Sequence, residues 1–317
     1  MNEPHSTGRY PFYIGRRDLV VAGLGAATLI AGASTVLAQA QKPPAPAGAA
    51  PPPGNSAAPG KVNVERRGAV LLIGFERPQA QNRLDAPILI GLGKALYQLD
   101  HDDGLRVAVL YANGPDFCMG LDVQAFAAAQ AAGILPPKDP DFINALGLTP
   151  PFRTKPVVVA AQGGTKTVGH ELFLAADIRV AASDAVFSQA EVTRGLFPAG
   201  GATIRFSREA GWANAMRYML TGDEWGAEEA HRLGIVQEVT PPGKQLDRAV
   251  ELANKVAVAA PLGVRATLAS SRQALAAEEA TALAALQGQR NAILRSEDVK
   301  EAARATQEHR APVFRGI

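Results

Sequence analysis

The 317-residue chain carries 32 Lys+Arg against 30 Asp+Glu, a net charge of +2, with 47% hydrophobic and 20% charged residues. Such a composition is that of a folded chain rather than a disordered one, and the near-neutral balance lacks the cationic excess that nucleic-acid binding needs. The lone Cys118 excludes an intramolecular disulfide and a thiolate zinc site, and the five histidines fall in no HExxH or HxH spacing, so no metal is expected.

In chain order, a polar start to Gly15 gives way at Arg16-Arg17-Asp18-Leu19-Val20 to an apolar or small run ending at Leu37, followed by Ala38-Gln39-Ala40. A charged head, an apolar stretch and an A-x-A end describe an export signal over residues 1–40, cleaved after Ala40. The paired arginines give it the twin-arginine type, which implies hand-over to that export machinery and a periplasmic destination. The competing expectation is a membrane anchor over residues 19–37, long enough to span but diluted by Gly23, Gly25 and Gly32. Residues 41–60 hold seven prolines, six alanines and three glycines, a linker composition. One large domain is left, residues 61–317.

Within it, Val62–Glu65 and Ala69–Phe75 are β-rich runs about a turn at Arg66-Arg67-Gly68. Pro87 opens a helix with Ile88, Leu92, Ala95, Leu96 and Leu99 on one face. Val107–Tyr111, Val157–Ala161 and Ile178–Ala182 read as buried strands, with a helix starting near Gly169 between the last two. From Ala199 the pattern is almost wholly helical, including 245–259, 263–277, 280–294 and 296–307. Strand–helix alternation with a helical tail is an α/β architecture.

Four segments, in order, carry a resemblance. Glu76-Arg77-Pro78-Gln79-Ala80-Gln81-Asn82-Arg83-Leu84 is similar to an N-R-P-x-x-x-N-A-L opening, and Phe117-Cys118-Met119-Gly120-Leu121-Asp122 to F-C/S-A-G-x-D. The third runs from Lys155-Pro156-Val157 through Gly169-His170-Glu171-Leu172, Ala176-Asp177-Ile178-Arg179 and Glu191-Val192 to Pro198-Ala199-Gly200-Gly201. The fourth is the tail from Glu297 to Gly316. Together they resemble the crotonase family, the enoyl-CoA hydratase/isomerase group. The resemblance implies a crotonase-like ββα spiral with a helical C-terminal trimerisation part, assembled as a homotrimer or hexamer.

It also implies chemistry. Adding water across an activated enoyl thioester needs fixed donors for the developing enolate oxygen and groups that move protons between water and the α-carbon. The matching backbone donors are the amides of Leu121 and Val168, with Met119, Gly120, Asp122 and Gly169 forming the surrounding substrate-binding turns. Glu171 and Glu191 match the acid–base pair, and retention of both favours water chemistry. No cofactor is implied; CoA would enter only as part of a small acyl or carbonyl substrate. Two other readings stand beside this lyase: a C–C bond hydrolase acting on a non-CoA β-diketone, and a non-catalytic periplasmic binding or scaffold protein.

The glycine-rich turn departs from the family's G-Y-A-x-G-G-G. It reads Gly163-Gly164-Thr165-Lys166-Thr167-Val168-Gly169, placing β-branched residues where glycine allows close backbone approach. Lys166 adds a cation there, for a substrate carboxylate or for solvent. His170, Cys118, Trp212 and Trp225 read as packing residues.

Overall fold

The computed structural model describes residues 58–315, so the expected export signal, and the expected linker up to residue 57, lie outside the described residues. The chain runs β1 (Lys61–Arg67), β2 (Val70–Glu76), α1 (Ala86–His101), β3 (Val107–Ala112), α2 (Val123–Ala131), β4 (Val157–Ala161), β5 (Gly164–Lys166), α3 (Val168–Leu174), β6 (Ile178–Ala182) and β7 (Val186–Ser188). It continues with α4 (Ala202–Ala210), α5 (Trp212–Met219), β8 (Glu224–Gly226), α6 (Ala227–Arg232), β9 (Glu238–Thr240), α7 (Gln245–Ala257), α8 (Pro261–Leu294) and α9 (Glu297–Gln307).

Six strands form one sheet in the order β1-β2-β3-β4-β6-β9, antiparallel at β1/β2 and parallel thereafter. Unbroken apolar runs suit strands buried on both faces. The two-residue period then divides them. Leu71, Ile73, Phe75, Leu110 and Val159 join α1 and α3 in the main core, while Val70, Leu72, Val107, Val109, Val158 and Val180 meet Ala249, Ala253 and Ala257 of α7. The alanine stripe lets α7 lie close on the sheet. α1 is capped by Asp85, whose Oδ1 accepts from the Ile88 amide at 3.0 Å, with a proline in its first turn.

The second sheet, β5-β7-β8, is three strands of three residues each. The turn at Gly164-Thr165-Lys166, expected as a loop, is therefore a strand, parallel to β7 and bridged through Thr165 to Cys118. Two further expectations change. Helices 263–277 and 280–294 are one 34-residue helix, α8, because Ala277-Glu278-Glu279-Ala280 are strong helix formers with nothing to break the ladder. Trp225 is packed, but Trp212 is 73% exposed; as the first residue of α5 it lies beyond the stretch that the body covers, which buries Ala215 and Met219.

Candidate active site

Asn82 ties together the segments that build the site. Its Oδ1 accepts from the Arg77 amide at 2.6 Å, and its Nδ2 donates to the carbonyls of Asn113 and Asp116 at 2.8 and 2.7 Å. Leu84 then runs alongside Leu121 in a parallel bridge, its amide donating to Gly120 O at 2.8 Å and its carbonyl accepting from Asp122 at 2.9 Å. In that pattern the neighbours of Leu121 make the bonds, so the Leu121 amide faces away from Leu84. It has no acceptor among the described residues.

The second amide comes from the other side. Cys118 donates to Gly164 O and accepts from Lys166, fixing β5 beside the same segment, and the Thr167 amide donates to Ser188 O at 2.9 Å. The next amide, Val168, is the first of α3 and has no acceptor among the described residues. Thr167 holds φ +50° and ψ −123°, a glycine-type conformation that costs a β-branched residue about 1–3 kcal/mol. The strain thus falls on Thr167 rather than on Val168, whose backbone is helical. Two unpaired main-chain donors, on elements braced by the same Gly120–Cys118 segment, are the inventory of an oxyanion hole.

Glu171 projects from the first turn of α3 and is 2% exposed. Its Oε1 accepts from the Gly200 and Ala202 amides at 2.7 and 3.1 Å. A side chain at Gly200 would place Cβ only 2.3 Å from Glu171 Oε2, so glycine is required for that approach. Glu191 opens a short 3-10 turn, Glu191–Arg194, and its Oε1 accepts from Gln189 Nε2 at 2.8 Å. Its Oε2 is buried with no partner among the described residues. Each carboxylate is therefore held by one oxygen and leaves the other unengaged.

Burial drives both carboxyls above their ordinary range, and for Glu171 the nearby Glu191 charge adds to it, against the amide bonds from Ala202 and Gly200. Glu171 is pushed up to about 8 and Glu191 to about 7, so both carboxyls stay partly protonated near neutral pH.

With this geometry in place, the comparisons are direct. The enoyl-CoA hydratase/isomerase family matches residues 65–316. The chain belongs to this family. Enoyl-CoA hydratase EchA19 of Mycobacterium tuberculosis is 34% identical over 259 residues, 79% of this chain and 95% of that protein. A probable enoyl-CoA hydratase/isomerase from Mycobacterium abscessus is 43% identical, covering 81% of this chain and 99% of that structure at a TM-score of 0.65. A carnitinyl-CoA dehydratase from Mycobacterium avium is 35% identical over 81% of this chain and 99% of its own, at a TM-score of 0.71. The crotonase-like spiral and the hydro-lyase class of enzyme expected from the motifs are thereby established.

The remaining family positions divide by their contacts. Met119 sits against Gly164, where a side chain would meet its sulfur at 2.1 Å, and Gly169 packs on the Cys118 carbonyl, 2.5 Å from where a Cβ would stand. Gly120, at φ +110°, supplies the carbonyl to Leu84. Asp122, expected among the substrate-binding residues, uses both oxygens in the fold. Oδ1 caps α2 through the Ala125 amide at 3.0 Å, and Oδ2 accepts from Arg77 at 2.8 Å. Lys166 is neither free for a substrate nor simply solvated, since it pairs with Glu224 of β8. Cys118 is fully buried and burial raises its thiol to about 12, so it is inert packing.

The Gly200 and Ala202 amides and the Gln189 side chain are functional contacts that the motifs alone did not reveal. The only signal for Gln189 was its position two residues before Glu191. Among the described residues no group of three or more His, Cys, Asp and Glu side chains is placed to hold a metal ion.

Proposed function

We propose that this enzyme adds water reversibly across the double bond of an enoyl-CoA thioester, with Glu171 and Glu191 as the proton-transfer pair and the Leu121 and Val168 amides as the oxyanion donors. The observation that carries the reading is the arrangement of the two glutamates. Each is pinned through one oxygen, each has the other unengaged, and burial raises both so that protons are held on the pair toward neutral pH. That is what hydration requires: one carboxylate takes a proton from water as its oxygen bonds the β-carbon, and the other, as the acid, delivers a proton to the α-carbon of the enolate. The enolate oxygen meanwhile lies against the two amides. Neither rival reading uses this arrangement as fully. A scaffold needs no paired, proton-sharing carboxylates, and the named relatives are CoA-thioester hydratases and dehydratases.

The test is hydration of crotonyl-CoA by the purified protein, followed as loss of the conjugated enoyl absorbance. Glu171→Gln and Glu191→Gln each keep the shape but remove an ionisable group, and each is expected to lower kcat by about 10²–10⁴-fold. Turnover that survives both substitutions would overturn the assignment.

The assembly and destination belong to the same proposal. The enzyme works as a homotrimer or a hexamer, and the twin-arginine signal of residues 1–40 sends it folded to the periplasm, cleaved after Ala40. A shift in size of the cellular protein on Arg16→Lys/Arg17→Lys substitution, with loss from the periplasmic fraction, checks the second part.

A further inference from the structure

His170 directly precedes Glu171 in the sequence motif, yet its ring bonds to neither glutamate. It is fully buried, in edge-to-face contact with Phe187, Phe206 and Trp225 at centroid separations of 5.8, 5.2 and 5.2 Å. Three rings on different elements leave the imidazole one orientation, in which Nδ1 stands 2.6 Å from Gln189 Oε1. Gln189, itself fully buried, passes the contact on, its Nε2 donating to Glu191 Oε1 at 2.8 Å.

Chemistry fixes the direction of this chain. A carboxylate only accepts, so the Gln189 amide must present its NH2 to Glu191 and its carbonyl to His170. A carbonyl also only accepts, so Nδ1 carries the proton and Nε2, which has no partner among the described residues, is bare. Burial keeps the ring neutral, down to about 4. Turning the Gln189 amide over would set NH2 against N–H at one end and carbonyl against carboxylate at the other. The imidazole is therefore a latch on the amide, and the amide is a latch on the carboxylate.

We infer that His170 is a positioning residue for the hydration reaction: through Gln189 it holds Glu191 in its working rotamer and favours that carboxylate in its ionised form. The inference rests on the hydratase reading of the site. The other charges facing Glu191 are Glu171 on α3, which opposes ionisation of the pair, and Arg194 in its own turn, which favours it; Arg179 lies near the imidazole and favours its neutral form. None of these bonds to Gln189, so the histidine's share can be removed without touching them.

Three variants separate the latch from mere packing. His170→Phe keeps a flat ring among the aromatics but has no donor; His170→Asn restores an N–H near the Nδ1 position; Gln189→Met breaks the chain at its second link. In the pH profile of kcat/KM, His170→Phe and Gln189→Met are both expected to move the acidic limb up by about half a pH unit and to lower kcat about tenfold with KM within about twofold. His170→Asn is expected to return the limb toward wild type whatever its thermal stability. A wild-type profile in His170→Phe, or an Asn variant displaced as far as the Phe variant, would overturn the proposal.

A readout free of turnover keeps the two readings apart. Infrared difference titration of the protonated carboxyl band should show the lower step of the glutamate pair moving up in His170→Phe and Gln189→Met. If the wild-type enzyme fails to hydrate enoyl-CoA, the function falls and this titration still decides the latch. An unmoved carboxyl step in both variants would sink the latch alone.

Discussion

At the scale of single residues, the site departs from what stability alone would choose. Thr167 stands at φ +50° and Glu171 is a buried acid held above its ordinary range by burial. An acid whose folded value is raised destabilises the fold once the unfolded chain can ionise it. The cost is absent below the ordinary carboxylate value, grows as pH rises through the interval, and is complete above about 8. Glutamine at this position accepts the same Gly200 and Ala202 amides without a charge to desolvate. Glu171→Gln is therefore expected to raise Tm by a few degrees at pH 8, about 2–4 °C for each kcal/mol recovered in a domain of this size, with the gain disappearing toward pH 4. Thermal scans of both proteins across that range check it, and an equal or lower Tm for the variant at pH 8 would contradict the burial cost. The variant that gains stability is the one expected to lose turnover, the trade-off of a site organised for chemistry.

At the scale of elements, the long strands and helices were legible because their patterns are long. The buried runs of β2, β3, β4 and β6 and the apolar face of α1 each announce themselves over five or more residues, and their registers follow. The second sheet was not legible, because three-residue strands such as Gly164–Lys166 have no period to read and owe their pairing to Cys118 and Phe187, far off in sequence. For the same reason the family motifs pointed to Glu171, Glu191, Leu121 and Val168, but the bonds that Gln189, His170 and the Gly200 amide make around them depend on tertiary packing and were not legible. Asp177 shows another such tertiary role. Its Oδ2 accepts from the Val157 amide at 2.8 Å and pairs with Arg153, and its Oδ1 takes Arg272 of α8 at 2.9 Å. Burial would raise this carboxyl, but Arg153 and Arg272 outweigh it and hold it below the ordinary range. A lowered acid contributes stability that is fully present above its unfolded value and is lost as pH falls through the folded one. Asp177→Asn is thus expected to cost about 3 kcal/mol at pH 7, the low end for breaking a buried pair because Arg272 is partly exposed. The gap to wild type should narrow on acidification below pH 4. Denaturant midpoints at pH 7 and pH 3.5 measure both, and a gap that stays constant would remove Asp177 from this role.

For the molecule as a whole, the C-terminal helices pose the remaining physical question. α8 runs 34 residues, about 50 Å at 1.5 Å per residue. Leu262 is 78% exposed, Leu275 42%, Ile293 37% and Leu294 42% along it, while Arg272 ties its middle to Asp177. α9 returns to the site region, where Gly195 just after the Glu191 turn lies against the Asp298 carbonyl, with 3.0 Å to the place a Cβ would occupy. A long helix with large apolar side chains exposed along its length gains by burying them against other copies, about 25 cal/mol for each Å² removed from water. Self-association through α8 follows as the expected state. Light scattering on the eluting peak of a size-exclusion column should give three or six chains. Leu262→Glu combined with Leu275→Glu, which leaves the sheets and both glutamates untouched, should shift that mass to the single chain. A wild-type protein that elutes as a monomer at micromolar concentration, or a double variant whose assembly is unchanged, would show that α8 is not the contact.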